Sequence, residues 1–259
     1  MNCQSGLTKI YIEDVLAKSE ASIPTYKKKI EDIAEKIVDT PGFFTFVNPF
    51  NFKFLDSKEY LNILQNANGV FVDGMLLVRF LKKFHRTNVS RLSFDGNSIA
   101  PYIFNWAIFK NKKIFLLGGE KGVAESSAKL LNKKLKTEIV IGYESGFFKS
   151  IDEVINKVRL LGSDIVVVGM GAPLQDNVSL AISERLPNIT VITCGGYLDQ
   201  LLVADELQYY PSLISRLNLR AFYRLWKEPK KMFIRYFVDY RYFYSEVFNR
   251  TWKKIIKSA

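Results

Sequence analysis

The sequence predicts an α/β protein: a Rossmann-like, mostly parallel sheet with flanking helices, followed by a basic, aromatic-rich helical C-terminal appendage. Three observations carry that expectation. The middle of the chain repeats one unit, a short apolar run rich in Val and Ile, a turn containing Gly or Asp, and then a helical stretch. Strand alternating with helix is the pattern of parallel strands joined by crossover helices. The apolar runs are not interrupted by polar residues, as expected of strands covered on both faces. The charge is also lopsided: from Arg216 to Ala259 there are twelve Lys and Arg against three acids, so this stretch supplies +9 of the net +11. The expected division is therefore a core over residues 1–210 and an appendage over residues 211–259.

In chain order, 21–39 reads as a helix with Pro24 near its start, where a missing N–H costs nothing. The expected strands are Phe43–Val47, Val70–Val72, Lys113–Leu117, Glu138–Ile141, Asp164–Val168 and Thr190–Thr193. Helical patterns lie between them over Ser57–Ala67, Met75–Phe84, Ile99–Phe109, Val123–Leu135, Ile151–Leu161 and Asn177–Leu186. Past Pro211 the composition changes. Arg and Lys there alternate with aromatic residues, among them Phe222, Trp226, Phe233, Phe237, Phe248 and Trp252, and Pro229 is placed to start a second helix. Basic residues interleaved with aromatics suit the boundary between water and lipid headgroups, and they suit a subunit interface too.

With 259 residues, 48% hydrophobic and 24% charged, the chain has the means to bury a substantial core, which excludes global disorder. Two cysteines, Cys3 and Cys194, make no disulfide framework, and with the single His85 they complete no Cys/His zinc site. His85 ends a helix, and Cys194 reads as a small core residue. The stretch Met1–Lys18 lacks a signal-peptide core, and no apolar run approaches the ~18 residues of a spanning helix. A reducing, cytosolic setting is the expectation.

Ligands of an open α/β sheet bind at the carboxyl ends of its strands, so the turns there come first. They hold Asp73-Gly74, Gly118-Gly119-Glu120-Lys121-Gly122, Gly169-Met170-Gly171-Ala172-Pro173-Leu174-Gln175-Asp176, and Gly195-Gly196-Tyr197-Leu198-Asp199. Glycine at a helix N-terminus lets the backbone approach an anion closely. Neither a P-loop nor a Gly-x-Gly-x-x-Gly fingerprint is present, which disfavours P-loop and dinucleotide modes. Asp73, closing an apolar strand, is placed either to cap a turn or to act as a general base on a hydroxyl. No Asp-x-Asp occurs, so a leaving diphosphate would be neutralised by helix ends and by Arg or Lys rather than by a metal.

Taken in order, these segments resemble the WecG/TagA/CpsF glycosyltransferases (family 26). The resemblance runs over Thr45 and Asn48, Asp73-Gly74, Arg91 ahead of Asp95-Gly96-Asn97-Ser98, Phe115–Gly119 with Gly122–Glu125, Gly146-Phe147-Phe148, Val168–Asp176, Gly195–Asp199, and Tyr223-Arg224-Leu225 with Glu228-Pro229-Lys230. Leu174 and Asp176 stand where that family usually has Lys and Glu. Thr45 and Asn48 are separated by one more residue than usual, and the family's Gly-x-Asp-Leu segment reads Phe94-Asp95-Gly96-Asn97-Ser98-Ile99.

The resemblance implies inverting, metal-independent transfer of a sugar, N-acetylmannosamine-type or another hexose, from a UDP-sugar to a polyprenyl-diphosphate-linked saccharide in bacterial cell-surface polysaccharide synthesis. By position, Asp73 would be the base, with Thr45 and Gln175 at the reacting sugars. Asn48, Arg91, Gly118, Gly119, Gly122, Gly146, Gly169, Gly171, Gly195, Gly196 and Asp199 would hold the donor. Arg216, Arg220 and Arg224 would reach the diphosphate. No cofactor, metal or nucleic acid is expected. Residues 216–257 would dock on anionic membrane, with a homo-oligomer also open. The rival readings are a non-catalytic protein that binds anionic lipid or nucleic acid through its basic tail, and a nucleotide-dependent oxidoreductase.

Overall fold

The computed structural model describes residues 28–86, 89–204 and 220–258. Six parallel strands form one sheet in the order β2-β1-β6-β5-β3-β4: β1 (Gly42–Val47), β2 (Gly69–Val72), β3 (Ile114–Gly118), β4 (Val140–Glu144), β5 (Ile165–Gly169) and β6 (Thr190–Thr193). Helices α1 (Lys28–Asp39), α2 (Lys58–Gln65), α3 (Met75–His85), α4 (Ala100–Phe109), α5 (Val123–Leu135), α6 (Ile151–Leu161), α7 (Leu174–Arg185) and α8 (Tyr197–Ala204) flank it, and a 3₁₀ turn spans Pro49–Phe54. The α/β class expected from the alternation of strand and helix is the class observed.

The unbroken apolar runs follow from burial on both faces. Ile114 to Leu117 and Ile165 to Val168 are wholly inaccessible. Because side chains alternate across a strand, Ile114 and Leu116 join Ile165 and Val167 on one face with α4 and α5, whereas Phe115 and Leu117 join Val166 and Val168 on the other with α6 and α7. A third cluster packs Phe43, Val47, Val70 and Val72 under α2 and α3. Local signals set the helix ends: Ser150 Oγ accepts from the Asp152 amide to start α6, and Gly162, at φ 64°, ends it.

Two of the expected elements are displaced at one end by three residues, and the other described ends by two at most. The fourth strand, expected at Glu138–Ile141, lies at Val140–Glu144. It is an edge strand, so the polar Tyr143 and Glu144 can continue the ladder beside Leu116 and Leu117. Helix α7, expected from Asn177, starts at Leu174, because the Gln175 amide already reaches the Gly171 carbonyl at 2.9 Å. Gln175 and Asp176 thus stand on a helix, not in a loop. The N-terminal part of the helix expected over 21–39 falls outside the described residues.

The C-terminal segment comprises α9 (Arg220–Lys227), α10 (Pro229–Phe233), a π-helical turn (Ile234–Asp239) and α11 (Arg241–Ser258). Pro229 does begin the second helix. Phe243, 3% exposed, inserts between Phe52 of the 3₁₀ turn and Phe80 of α3, with ring centroids 5.0 and 5.4 Å away. Burying such a ring contributes roughly 2–3 kcal/mol. Lys53 pairs with Asp239 at 3.3 Å across the same contact. The segment is therefore seated beside the strand ends.

Candidate active site

A cleft of about 640 Å³ opens along the carboxyl edge of the sheet. The connections that leave the neighbouring strands β3 and β5 run in opposite directions, to β4 and to β6, and ligand crevices of open α/β sheets form at such switch points.

One wall carries charged side chains. β2 is followed by Asp73, whose amide is fixed to the Val47 carbonyl at 2.7 Å, and Gly74, at φ 90°, turns the chain straight into α3. The Arg91 Nε lies 3.3 Å from Asp73 Oδ1, and its terminal nitrogen lies 3.0 Å from Asp95 Oδ2. Ser93 Oγ accepts from Arg91 and donates to Asp95, both at 2.5 Å. Asp95 is 7% exposed at its side chain and Asp73 34%, so the first anchors the guanidinium while the second faces the cleft. Such a carboxylate is oriented and reachable, as a general base must be. Asn48, Phe50 and Asn51 continue this wall.

The opposite wall is largely glycine backbone, Gly119, Gly146, Gly169, Gly171, Gly195 and Gly196, with Glu120 and Asp199 beside it. Gly118 makes it possible. At φ 142°, it lies so near β5 that a Cβ would fall 2.1 Å from the Gly169 carbonyl oxygen. Four of these amides are engaged inside the protein. Gly119 donates to Gly169 O at 3.0 Å and Gly146 to Gly119 O at 2.9 Å, while Gly171 and Gly195 both donate to Gln175 Oε1, at 3.1 and 3.2 Å. These glycines give depth and close approach more than donors. Gly196, just before α8, keeps an amide with no intramolecular acceptor among the described residues, and a helix N-terminus there favours an anion.

Of the residues expected from sequence, Asn48, Asp73, Arg91, Gly119, Gly146, Gly169, Gly171, Gln175, Gly195, Gly196 and Asp199 line the cleft. Gly118 and Gly122 stand outside the lining, the first as the close approach just described and the second as the N-cap of α5 at φ 90°. Thr45 is fully buried beneath the cleft. Its hydroxyl donates to Asp176 Oδ1 at 2.6 Å and lies 2.9 Å from Thr193 Oγ1. Arg216 lies outside the described residues, as do the side chains of Arg220 and Arg224.

Sequence reasoning does not single out Arg235 or Ser93, and it marks Asp176 only as a departure from the family pattern. Arg235 projects from the π-helical turn into the cleft, its guanidinium 5.4 Å from the centre of the Phe50 ring. It forms no ion pair among the described residues, whereas the other cleft arginine, Arg91, is held by two carboxylates. The wide π turn that aims Arg235 leaves no trace in residue spacing, although such turns cluster at functional sites. Asp176 is fully buried, and burial pushes its pKa up to about 6 against the opposing hydrogen bonds from Thr45 and Tyr60. Burial likewise pushes the Cys194 thiol well up, so this cleft-lining sulfur stays neutral.

Among the described residues no three His, Cys, Asp or Glu side chains converge in a way that would hold a metal ion, and no helix is long and apolar enough to cross a membrane. The outer surface of the C-terminal segment exposes Phe222, Trp226, Phe233, Ile234, Phe237 and Phe248.

Comparison with known proteins agrees with this geometry. The chain is 34% identical over 204 residues to a UDP-Gal:alpha-D-GlcNAc-diphosphoundecaprenol beta-1,4-galactosyltransferase of Shigella boydii, covering 77% of this chain and 82% of that protein. It is 26% identical over 184 residues to an N-acetylglucosaminyldiphosphoundecaprenol N-acetyl-beta-D-mannosaminyltransferase of Bacillus subtilis (71% of this chain, 70% of the relative). The enzyme of the same name from Bacillus spizizenii is 24% identical over 191 residues, with 73% of each chain covered. A family model described as Glycosyl transferase WecG/TagA/CpsF family matches residues 16–256. With that match spanning nearly all of the sequence, the chain belongs to the WecG/TagA/CpsF family of glycosyltransferases.

Proposed function

We propose that the protein transfers a sugar from a UDP-sugar to a polyprenyl-diphosphate-linked saccharide, with inversion and without a metal ion. The observation that carries this reading is the Asp73 carboxylate, fixed by Arg91 at the cleft edge and facing a glycine-walled slot. Asp73 takes the proton of an acceptor hydroxyl. The hydroxyl oxygen attacks the anomeric carbon from the side opposite the diphosphate, the bond from that carbon to the diphosphate oxygen breaks, and UDP leaves with the electron pair. The Gly196 amide at the start of α8 and the Arg235 guanidinium meet the charge that develops on the departing diphosphate. Arg235, which has no carboxylate partner among the described residues, brings to the cleft the positive charge that a metal ion would otherwise supply.

The relatives' names place their acceptors on undecaprenyl diphosphate, and an acceptor of that kind is confined to a membrane. The exposed aromatics of the C-terminal segment and its basic excess suit peripheral docking on an anionic membrane surface, which in a bacterium is the inner face of the cell membrane. Of the donors those names give, galactose belongs to the relative with the higher identity, so UDP-galactose leads the test.

The experiment is transfer from a panel of labelled UDP-sugars, UDP-galactose first, to a short-chain polyprenyl-diphosphate-GlcNAc acceptor in the presence of EDTA. Turnover with one donor, and inverted product by NMR, is the expected result. Turnover that EDTA abolishes would overturn metal independence. No turnover together with no UDP binding by calorimetry would overturn the whole reading.

A further inference from the structure

Resting on that transfer reaction, we propose that Asp176 is a positioning residue of the active site: its buried carboxylate orders the Asn48–Asn51 wall of the cleft through a one-way relay of hydrogen bonds, while its neighbour Gln175 orders the glycine wall.

Among the described residues Asp176 has no cationic partner, so a charge in this fully buried place is held by hydroxyls alone. Thr45 of β1 donates to Oδ1 at 2.6 Å, and Tyr60 of α2 donates to Oδ2 at 3.2 Å. A carboxylate can only accept, so it sets the direction of every hydrogen bond in the relay. The single proton of Tyr60 points at Asp176, which leaves the phenol oxygen as an acceptor, and Asn51 Nδ2 donates to it at 2.5 Å. With the nitrogen of its amide so assigned, Asn51 turns Oδ1 to the Asn48 backbone amide at 2.8 Å. Asn48 in turn caps the 3₁₀ turn by accepting from the Phe50 amide at 2.9 Å. Asn48, Phe50 and Asn51 all line the cleft, and Asn48 follows Val47, whose carbonyl holds the Asp73 amide. The orientation of this wall, and the seat of the base beside it, thus trace back to one acceptor-only group.

The adjacent side chain serves the other wall. Gln175 Oε1 receives the Gly171 and Gly195 amides, tying the loop after β5 to the loop after β6. Two consecutive residues in the first turn of α7 therefore set the two walls relative to each other. Thr45 acts through Asp176 in this arrangement and not by touching a sugar.

The test uses Asp176→Asn and Tyr60→Phe in the full-length protein. Asparagine keeps the size of the side chain but can donate. It releases the Tyr60 proton toward Asn51 and invites that amide to reverse, which takes Oδ1 from the Asn48 amide. Phenylalanine removes the relay at its middle. The expected result is a fall of about tenfold or more in kcat/KM for each variant, with Tm little lowered. The double variant should be no worse than the weaker single, as for residues acting in series. By amide hydrogen exchange, the Asn48 amide should exchange at least about tenfold faster in both variants, while the Gly195 amide, held by Gln175, keeps its protection. If Asp176→Asn fails to fold, Tyr60→Phe is judged by the same criteria. Unchanged kcat/KM in the folded variants overturns the proposal, even with faster exchange at Asn48, because the network would then be structural only. Unchanged exchange at Asn48 also overturns it. If the wild-type protein moves no sugar from any donor, the transfer reading has failed instead, and the exchange measurement alone decides the relay.

Discussion

The wall that closes β1 and β2 presents charged side chains to the cleft, and the wall that closes β3, β5 and β6 presents glycine backbone. The first can exchange protons: Asp73 faces the cleft, Arg91 bridges it to Asp95, and Ser93 locks that bridge. The second offers few free donors, since four of its amides are used inside the protein, but it lets a bulky anion approach the sheet edge. A transferase acting on a diphosphate needs both, a base on one side and a leaving-group slot on the other. Glycines in such turns need not serve as donors. At Gly118 the requirement is steric, because two strands meet where any side chain would collide.

The sharpest way to break this division of labour is Asp73→Asn. The amide keeps the shape and cannot accept the proton, so kcat should fall by about 10²–10⁴-fold, with UDP affinity by calorimetry little changed. A variant with full turnover would move the base to another residue.

On the glycine wall, Gly118→Ala should cost about 3–5 kcal/mol in urea unfolding, since φ is 142° and the new methyl would sit 2.1 Å from the Gly169 carbonyl oxygen. Gly122→Ala is the control. Its φ is 90° but nothing lies within 4 Å of a Cβ, so strain alone applies and about 1 kcal/mol is expected. Equal costs would show that backbone conformation, not close approach, is what Gly118 provides.

Beneath the charged wall, Asp176 predicts a pH signature of its own. Its pKa rises from 3.8 to about 6 on folding. Below 3.8 it is protonated in both states. As the pH climbs, the unfolded chain ionises first, so folding loses stability across the window from about 4 to 6, by up to about 3 kcal/mol once both states are charged. Asp176→Asn removes this loss. Its stability relative to the wild type in chemical denaturation should therefore be higher at pH 7.5 than at pH 4.5, and a difference independent of pH would contradict the burial account.

These contrasts explain which parts could be read in the sequence. The sheet was legible because Ile114–Leu117 and Ile165–Val168 are continuous apolar runs, and the glycine wall because its residues follow strands closely. Asp73 and Arg91 were legible as motif residues, although their 3.3 Å pairing depends on a chain return from Arg91 to β2 that no local pattern encodes. The relay through Asp176, Tyr60 and Asn51 was not legible, since Asp176 and Tyr60 stand 116 positions apart and the bond depends on α2 packing over α7. The seat of α11 was hidden too: Phe243 looks like any other aromatic of the tail until Phe52 and Phe80 enclose it.

Arg235 belongs to the charged wall by chemistry but to the C-terminal segment by sequence, so its removal asks whether that segment takes part in transfer or only in docking. Arg235→Gln keeps length and loses charge. It breaks no ion pair among the described residues, so Tm should hold. If its guanidinium meets the diphosphate, kcat/KM should fall by about tenfold, some 1.4 kcal/mol of transition-state stabilisation, and Arg235→Lys should recover only part because it lacks the bidentate fork. The loss should persist with a water-soluble acceptor analogue in detergent-free buffer, where docking on a membrane no longer matters. If it appears only on vesicles, Arg235 serves the surface, and the glycine wall must neutralise the leaving group with helix ends alone.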